Sequence, residues 1–329
     1  MIVNIASLGL KKDGVIDYFL SEIKMFKVSI IIPSRNEIQT TNEGVNVLQR
    51  TVQDIYEKDT GDFEVIVGFD GPPFQDFPDY PNLKLVKMPD NVGLRTMINI
   101  LAIMAKGKYI FKSDGHCSFS PAFNEILQEN MQDNWVMVPR FYVLDGKTWK
   151  WQDDRHYDYF YLSCPFTDPR GFRFKAGGHW PERTAEKENK PEYMIDETPS
   201  LHGSGWFVER DFFLNKIGGF PTLDPFGHGQ DSVYLALKPW LGPWDSKLMV
   251  NKKVWHAHMH IDGNNRGFHM DRKQTEHTYN LFARYWVGDK WCERAHDFEW
   301  FVDRFMPMPT WNSDWREVLH KWKEENRNV

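Results

Sequence analysis

Apolar runs and helical segments alternate along the first part of the chain, and this alternation constrains the fold more than any other feature. Four runs rich in apolar residues predict buried strands, at residues 27–33, 63–69, 83–86 and 109–111. Residues 43–57 and 94–106 carry apolar side chains at helical spacing. Strands that alternate with helices favour right-handed βαβ crossovers, so we predict an α/β fold with a mostly parallel central sheet flanked by helices.

Polar clusters follow three of the predicted strands at their carboxyl ends. They are Ser34–Glu37, Asp70–Pro73 and Asp114–His116. Ligands of such sheets bind outside the carboxyl ends of the strands, so these clusters predict one shared site. Neither a G-x-G-x-x-G sequence nor a P-loop is present, which disfavours a dinucleotide dehydrogenase and a P-loop NTPase. A nucleotidyltransferase is disfavoured as well, since it would carry a glycine-rich loop near its N-terminus.

Composition limits the environment in which the chain works. Its 329 residues carry a net charge of -6, which argues against a protein that depends on non-specific nucleic-acid affinity. Three widely spaced cysteines predict a reducing, cytoplasmic compartment. No apolar run approaches the ~20 residues of a membrane span. Residues 1–24 precede Met25 and the first strand, and we interpret them as an N-terminal extension.

Side chains able to bind a divalent metal stand at two places in the sequence. Asp114-Gly-His116 follows a strand directly, and a carboxylate and an imidazole together suit a borderline divalent ion. The segment Val254–His260 places three histidines at alternating positions, on one side of a strand. Only one or two of them could reach a metal at Asp114. A third cluster, Gly227–Asp231, places an acid behind glycines at the start of a helix.

Several of these segments together resemble a known enzyme family. VSIIIPSRNE (28–37), EVIVGFDG (64–71) and the segment from Asn91 to Phe111 are similar to GT-A-fold, family 2-type glycosyltransferases, and the resemblance runs over residues 27–262. Where most of that family has D-x-D, this chain has Asp114-Gly-His116. That motif resembles the D-x-H of polypeptide N-acetylgalactosaminyltransferases, as does Val254-Trp-His256.

The resemblance implies a metal-dependent transfer of a sugar from a nucleotide sugar, most often a UDP-sugar, to an acceptor hydroxyl. Asp114, His116 and His256 would hold Mn2+ or Mg2+, with His258 in reserve, and Asp231 would act as the general base. The implied donor-binding residues are Pro33, Arg35, Glu37, Asp70, Arg95, Asp114, Gly205, Trp206 and Arg266. Asp231 as base favours inversion at the anomeric carbon, whereas the D-x-H motif favours retention.

The resemblance also implies a division of the chain. Residues 25–262 would form the GT-A catalytic domain, with a nucleotide-binding half (25–118) and an acceptor half (119–262). Residues 263–329 would form a lid, which carries Arg266, and a helical, tryptophan-rich C-terminal extension.

Three interpretations of the acceptor side remain open from the sequence. The acceptor would be a saccharide or glycoconjugate in the first. In the second the chain glycosylates a hydroxylated base in DNA, with phosphate contacts from Arg155, Arg170, Arg173 and Lys175. In the third it is a non-catalytic carbohydrate-binding protein on a transferase scaffold.

Overall fold

Twelve strands are formed by the part of the chain that the structure describes, residues 26–175, 177–222, 229–261 and 265–327 of a computed structural model. The predicted extension 1–24 and the predicted boundary at residue 262 lie outside these residues. The strands are β1 (Phe26–Ser34), β2 (Phe63–Phe69), β3 (Leu83–Lys87), β4 (Gly107–Ser113), β5 (Cys117–Phe119), β6 (Trp135–Asp145), β7 (Lys150–Tyr157), β8 (Phe160–Tyr161), β9 (Gly178–His179), β10 (Ile195–Glu197), β11 (Gly205–Glu209) and β12 (Lys247–Met259).

Ten of these strands form one sheet, whose main order is β10-β12-β6-β11-β4-β1-β2-β3. The strands β3, β2, β1 and β4 are parallel neighbours, and β12 is parallel to β6. The strand β11 lies antiparallel between β4 and β6 and joins the two parallel parts. This arrangement confirms the predicted α/β class with a mostly parallel central sheet.

Helices cover both faces of the sheet because the apolar side chains of the strands alternate between the faces. Ile31 packs in the cluster that contains α2, whereas Ile30 and Ile32 pack in the cluster that contains α1. The helices are α1 (Val47–Lys58), α2 (Leu94–Met104), α3 (Phe123–Glu129), α4 (Pro181–Lys187), α5 (Asp231–Leu241), α6 (Arg272–Val287), α7 (Phe298–Phe305) and α8 (Trp315–Glu325), with a 3-10 turn at Pro191–Tyr193 and a π-helical segment at Phe212–Ile217.

Helices α6 to α8 form the predicted tryptophan-rich C-terminal extension. Trp286 on α6, Trp315 on α8 and Trp311 between α7 and α8 are buried in the larger core cluster, and the ring of Phe305 lies 5.1 Å from the ring of Trp240 on α5. Burial of an apolar stripe stabilises amphipathic helices that would be marginal alone. Across the described ranges, no helix combines the length and apolar character that crossing a bilayer needs.

Candidate functional site

A cavity of about 630 Å³ lies at the carboxyl ends of β1, β2 and β4. Loops that follow these strands form one wall, and the start of α5 with the segment 265–279 forms the other. Nine residues that the sequence singled out line it, namely Pro33, Arg35, Glu37, Asp70, Asp114, His116, Asp231, His258 and Arg266. The three polar clusters of the sequence therefore meet at one place.

Asp114, His116 and His258 form a compact group of metal-ligating side chains in this cavity. One ligand atom from each lies within 4.8 Å of the others. Asp114 follows β4, and its Oδ2 lies 3.2 Å from Nε2 of His258. The pairing of β5 with β12 sets His258 opposite Cys117, so the neighbouring His116 reaches the same point. One carboxylate and two imidazoles thus lie close together, although they come from separate parts of the sheet.

The chemistry of this group fits a divalent cation. A carboxylate oxygen with two imidazole nitrogens suits Mn2+ and related borderline ions. Nδ1 of His116 is buried and has no hydrogen-bond partner among the described residues, although Glu37 Oε1 is 3.3 Å away. Burial lowers the pKa of His258 to about 3, so its ring is the neutral form that a metal requires.

The ionisation of Asp114 also suits a ligand. Burial alone would raise the pKa of this carboxyl, but the Lys112 ammonium and then His258 outweigh it and hold the pKa well below its ordinary value. Lys112 is fully buried, contacts Asp114 Oδ1 and donates to the carbonyl of Gly203 at 2.8 Å. The sequence predicted no role for Lys112, because a lysine near the end of a strand carries no motif.

His256 lies apart from this group, so the structure brings the reserve residue His258 to Asp114 instead. Nε2 of His256 lies 2.7 Å from Oγ of Ser204, which is also 2.7 Å from Nδ1 of His202. A Cβ atom on Gly205 would come within 3.0 Å of the His256 ring, so the ring packs directly against that strand. His256 is a buried neighbour of the cavity and does not line it.

The carboxylate of Asp70 holds the turn at residues 91–93. It accepts hydrogen bonds from the backbone N–H of Val92 at 2.6 Å and of Gly93 at 3.1 Å, and from the amide of Asn91. Burial raises the pKa of Asp70, and these donors with the Arg35 charge oppose that rise. Asp70 therefore fixes one wall of the cavity through the turn at residues 91–93.

Two arginines share one aromatic ring at the cavity mouth. The guanidinium carbon of Arg35 lies 5.0 Å from the centre of the Phe268 ring, and that of Arg266 lies 5.8 Å from it. Arg35 belongs to the donor loop, residues 34–39 after β1, and Arg266 belongs to the lid segment, residues 265–271. Cation–π contacts leave the edges of a guanidinium free to bind phosphate oxygens.

The lid segment lies on the donor loop. The side-chain amide of Asn36 donates to the carbonyl of Gly267, and that of Gln39 donates to the carbonyl of Asn265. A Cβ atom on Gly267 would come within 2.1 Å of the carbonyl oxygen of Asn36. Only glycine permits this approach of the two backbones, so the contact is specific to this sequence.

Three predicted donor-binding residues, Arg95, Gly205 and Trp206, do not line the cavity. Arg95 is buried, and it donates to the carbonyl of Gly229 at 2.6 Å and to that of Pro221 at 3.2 Å. It therefore binds the chain on either side of residues 223–228. Trp206 is 1% exposed and packs against Phe213 and Phe220, so its ring belongs to the core.

Asp231 is the first residue of α5 and lines the cavity. A Cβ atom on Gly203 would come within 3.1 Å of Asp231 Oδ2, so glycine leaves room for the carboxylate. Its neighbour Gln230 has a φ of 68°, which turns the chain sharply into the helix. The cavity also contains three residues for which the sequence predicted no donor or metal role, His202, Arg173 and Lys175.

Comparison with known proteins identifies the family of this architecture. Residues 29–192 match the family model "Glycosyl transferase family 2". A Drosophila melanogaster protein named "Putative polypeptide N-acetylgalactosaminyltransferase 13" is 24% identical over 177 residues, which are 53% of this chain and 29% of that protein. The chain thus spans less than a third of this relative.

Two solved structures share the fold. The crystal structure of GalNAc-T7 with UDP, GalNAc and Mn2+ superposes with a TM-score of 0.60 and 16% identity, over 92% of this chain and 55% of that one. The structure of S. aureus TarS 1–349 in complex with UDP-GlcNAc gives a TM-score of 0.51 and 12% identity, over 84% of this chain and 69% of that one. Both likenesses confirm the predicted GT-A architecture.

Proposed function

Residues 29–192 are a glycosyl transferase family 2 domain, and on that premise we propose that this glycosyltransferase moves a sugar from a UDP-sugar to an acceptor hydroxyl with the help of a divalent metal. One observation carries the proposal. The ligand atoms of Asp114, His116 and His258 converge within 4.8 Å, in a cavity that also holds arginines and Asp231. UDP and Mn2+ in the structure of GalNAc-T7 support the same choice of donor and ion.

The proposed donor site contains the metal-ligating group. A divalent ion held by Asp114, His116 and His258 would act as a Lewis acid and a template for the diphosphate. Arg35 and Arg266 bind the remaining phosphate oxygens, because a guanidinium edge matches them. Glu37 lies beside His116 and fixes its ring.

Asp231 is the proposed general base. The acceptor hydroxyl oxygen bonds to the anomeric carbon of the sugar while its proton passes to the Asp231 carboxylate. The bond between the anomeric carbon and the diphosphate oxygen breaks, and its electron pair leaves with UDP. Direct displacement with Asp231 as the base inverts the anomeric carbon.

The proposed acceptor is a saccharide or glycoconjugate. Of the four cations that the DNA alternative names, Arg155 is paired with Asp153 and Arg170 with Asp168, which leaves Arg173 and Lys175 in the cavity. A non-catalytic role leaves the position of Asp231 unexplained. We assign residues 25–262 to the catalytic domain and residues 263–329 to the lid and extension. Three free cysteines support a reducing, cytoplasmic compartment.

Calorimetric titration of UDP, GDP, CDP and dTDP, each with and without Mn2+, tests the proposal. We expect UDP to bind best and to need the metal. Asp114→Asn should weaken metal-dependent binding by about 10–100-fold. Asp153→Asn is the matched control, because Asp153 is 40% exposed and paired with Arg155 on the surface. A UDP affinity that changes neither on removal of Mn2+ nor in Asp114→Asn would refute the metal site.

A further inference from the structure

The cavity contains a second pair of cationic side chains, Arg173 and Lys175, on the chain between β8 and β9. The guanidinium carbon of Arg173 lies 3.9 Å from the centre of the Tyr279 ring. Its Nε is buried and has no hydrogen-bond partner within the described ranges. No ion pair with another described residue neutralises either side chain. The pair therefore presents positive charge to the cavity.

Arg173 lies near Asp231 in this cavity. The hydroxyl of Tyr279 would be 3.1 Å from a Cβ atom on Gly229, two residues before Asp231. The charges of Arg173 and Asp231 both act on the Tyr279 hydroxyl, so all three groups are close together. The Arg266 charge also acts on the Tyr279 hydroxyl, while the Arg35 charge acts on Asp70. Arg173 thus lies beside the proposed base.

Cations outside the cavity in the same region are already paired. Arg170 donates to both carboxylate oxygens of Asp168, at 2.9 and 2.7 Å, and Arg155 donates to Asp153. Arg155 and Arg170 are therefore not free to bind an additional anion. The pair inside the cavity has room and charge for a single anionic group.

We propose that Arg173 and Lys175 bind one phosphate group of the acceptor, beside the hydroxyl that Asp231 deprotonates. A guanidinium donates paired hydrogen bonds to phosphate oxygens, and a lysine adds a mobile ammonium. This inference rests on the proposed function, because it names a chemical feature of the acceptor for the same site. It narrows the acceptor to hydroxyl compounds that carry a phosphate near the reacting oxygen.

Phosphorus NMR can follow both sites in one sample that contains the full chain, Mg2+, UDP and methyl phosphate. The UDP and methyl phosphate signals are separate, and each broadens when its compound binds. We expect both to broaden together, which means that UDP does not displace methyl phosphate. Displacement of methyl phosphate by UDP would show that Arg173 and Lys175 bind the donor, and it would overturn the inference. A UDP signal that stays sharp would instead contradict the donor proposal.

Variants separate the two sites. The double change Arg173→Gln and Lys175→Gln should weaken methyl phosphate binding by about tenfold or more, as expected for lost charge-assisted hydrogen bonds. Retained UDP broadening in the same tube reports that the variant is folded. Arg155→Gln is the matched control and should change neither signal. Equal methyl phosphate binding in the double variant and the wild type would overturn the inference.

Competition identifies the source of the phosphate. A hexose 6-phosphate and a short single-stranded oligonucleotide are each added to the sample with bound methyl phosphate. Displacement by the hexose phosphate supports a phosphorylated saccharide acceptor. Displacement by the oligonucleotide supports the same site with a nucleic-acid acceptor. Displacement by neither would show anion binding without an acceptor role and overturn the inference.

Discussion

Nε2 of His258 lies 3.2 Å from Oδ2 of Asp114, while His256, two residues earlier on the same strand, contacts Ser204 at 2.7 Å. Two histidines on one face of β12 therefore have different partners. Replacing His258 by Ala should weaken Mn2+-dependent UDP binding by about 10–100-fold, as expected when a metal site loses a side chain that holds or orients its ligands. His256→Ala should lower the melting temperature and leave the Mn2+ affinity of the folded protein nearly unchanged.

Calorimetry with Mn2+ and UDP on both variants checks this assignment. Circular dichroism establishes that each variant is folded before the titration. Loss of metal affinity in His256→Ala together with normal affinity in His258→Ala would reverse the two roles.

Asp231→Asn should lower turnover by about 100- to 10,000-fold, the usual contribution of a general base. Asn keeps the size of the side chain but cannot accept the acceptor proton. UDP affinity should stay close to that of the wild type, since the carboxylate lies on the acceptor side. Single-turnover kinetics and UDP titration separate these two effects, and a large loss of UDP affinity would place Asp231 in the donor site.

The anomeric configuration of the product is a second readout of Asp231. Direct displacement with Asp231 as the base inverts the anomeric carbon, which the proton coupling constant of the product reports. A retained configuration would remove Asp231 from the role of base in a direct displacement.

Trp206→Ala should destabilise the fold by about 3–5 kcal/mol, the usual cost of truncating a buried tryptophan. The ring lies 5.4 Å from Phe213 and fills the core, so the loss comes from packing. Trp206→Phe should cost less and keep UDP-sugar binding intact. Denaturant unfolding and donor titration measure the two quantities. If a stable Trp206→Phe variant binds the donor more weakly, Trp206 contacts the sugar.

Gly267→Ala should weaken UDP binding by about tenfold, equivalent to ~1.4 kcal/mol. The added Cβ would meet the Asn36 carbonyl oxygen at 2.1 Å, so the lid segment must move and carry Arg266 away. Arg266→Gln should reproduce most of the loss, which calorimetry can compare. Unchanged UDP affinity in both variants would show that the lid segment does not contact the donor.

Ionisation of Asp59 should lower the free energy of unfolding as the pH rises. Burial, together with the adjacent Glu125, raises the pKa of Asp59 to about 9 in the folded state. A raised pKa contributes stability that is complete below the ordinary value of 3.8 and is lost as the pH rises through about 9. Asp59→Asn is neutral throughout and should lack this decline. Urea unfolding of both proteins from about pH 5 to about pH 9 measures it, and parallel curves would contradict it.

The sequence predicts the parallel strands β1 to β4, the helices α1 and α2 and the convergence of the three polar clusters, because apolar periodicity and the parallel sheet determine them. It does not distinguish His256 from His258, since a spacing of two places both on one face of β12. Their different partners follow from the pairing of β12 with β5 and from the Ser204 hydroxyl, which come from distant parts of the chain.

Other differences have similar physical causes. The family resemblance implied that Trp206 binds the donor. In the structure both faces of β11 are covered, so the Trp206 ring is buried. The strand β7 is missing from the sequence interpretation because it is an exposed hairpin strand of polar residues with no apolar alternation. Arg95 resembles a phosphate ligand by residue type, yet its guanidinium satisfies backbone carbonyls.

The seating of the lid segment on the donor loop bears on the order of events in each catalytic cycle. Asn36 and Gln39 bind the lid segment across more than 220 positions of sequence, directly over the mouth beside Arg35. In the proposed mechanism, the donor passes this contact on entry, UDP passes it on release, and the acceptor binds beside Asp231. We therefore expect compulsory-order kinetics, with the donor first on, UDP last off, and product inhibition by UDP that competes with the donor alone.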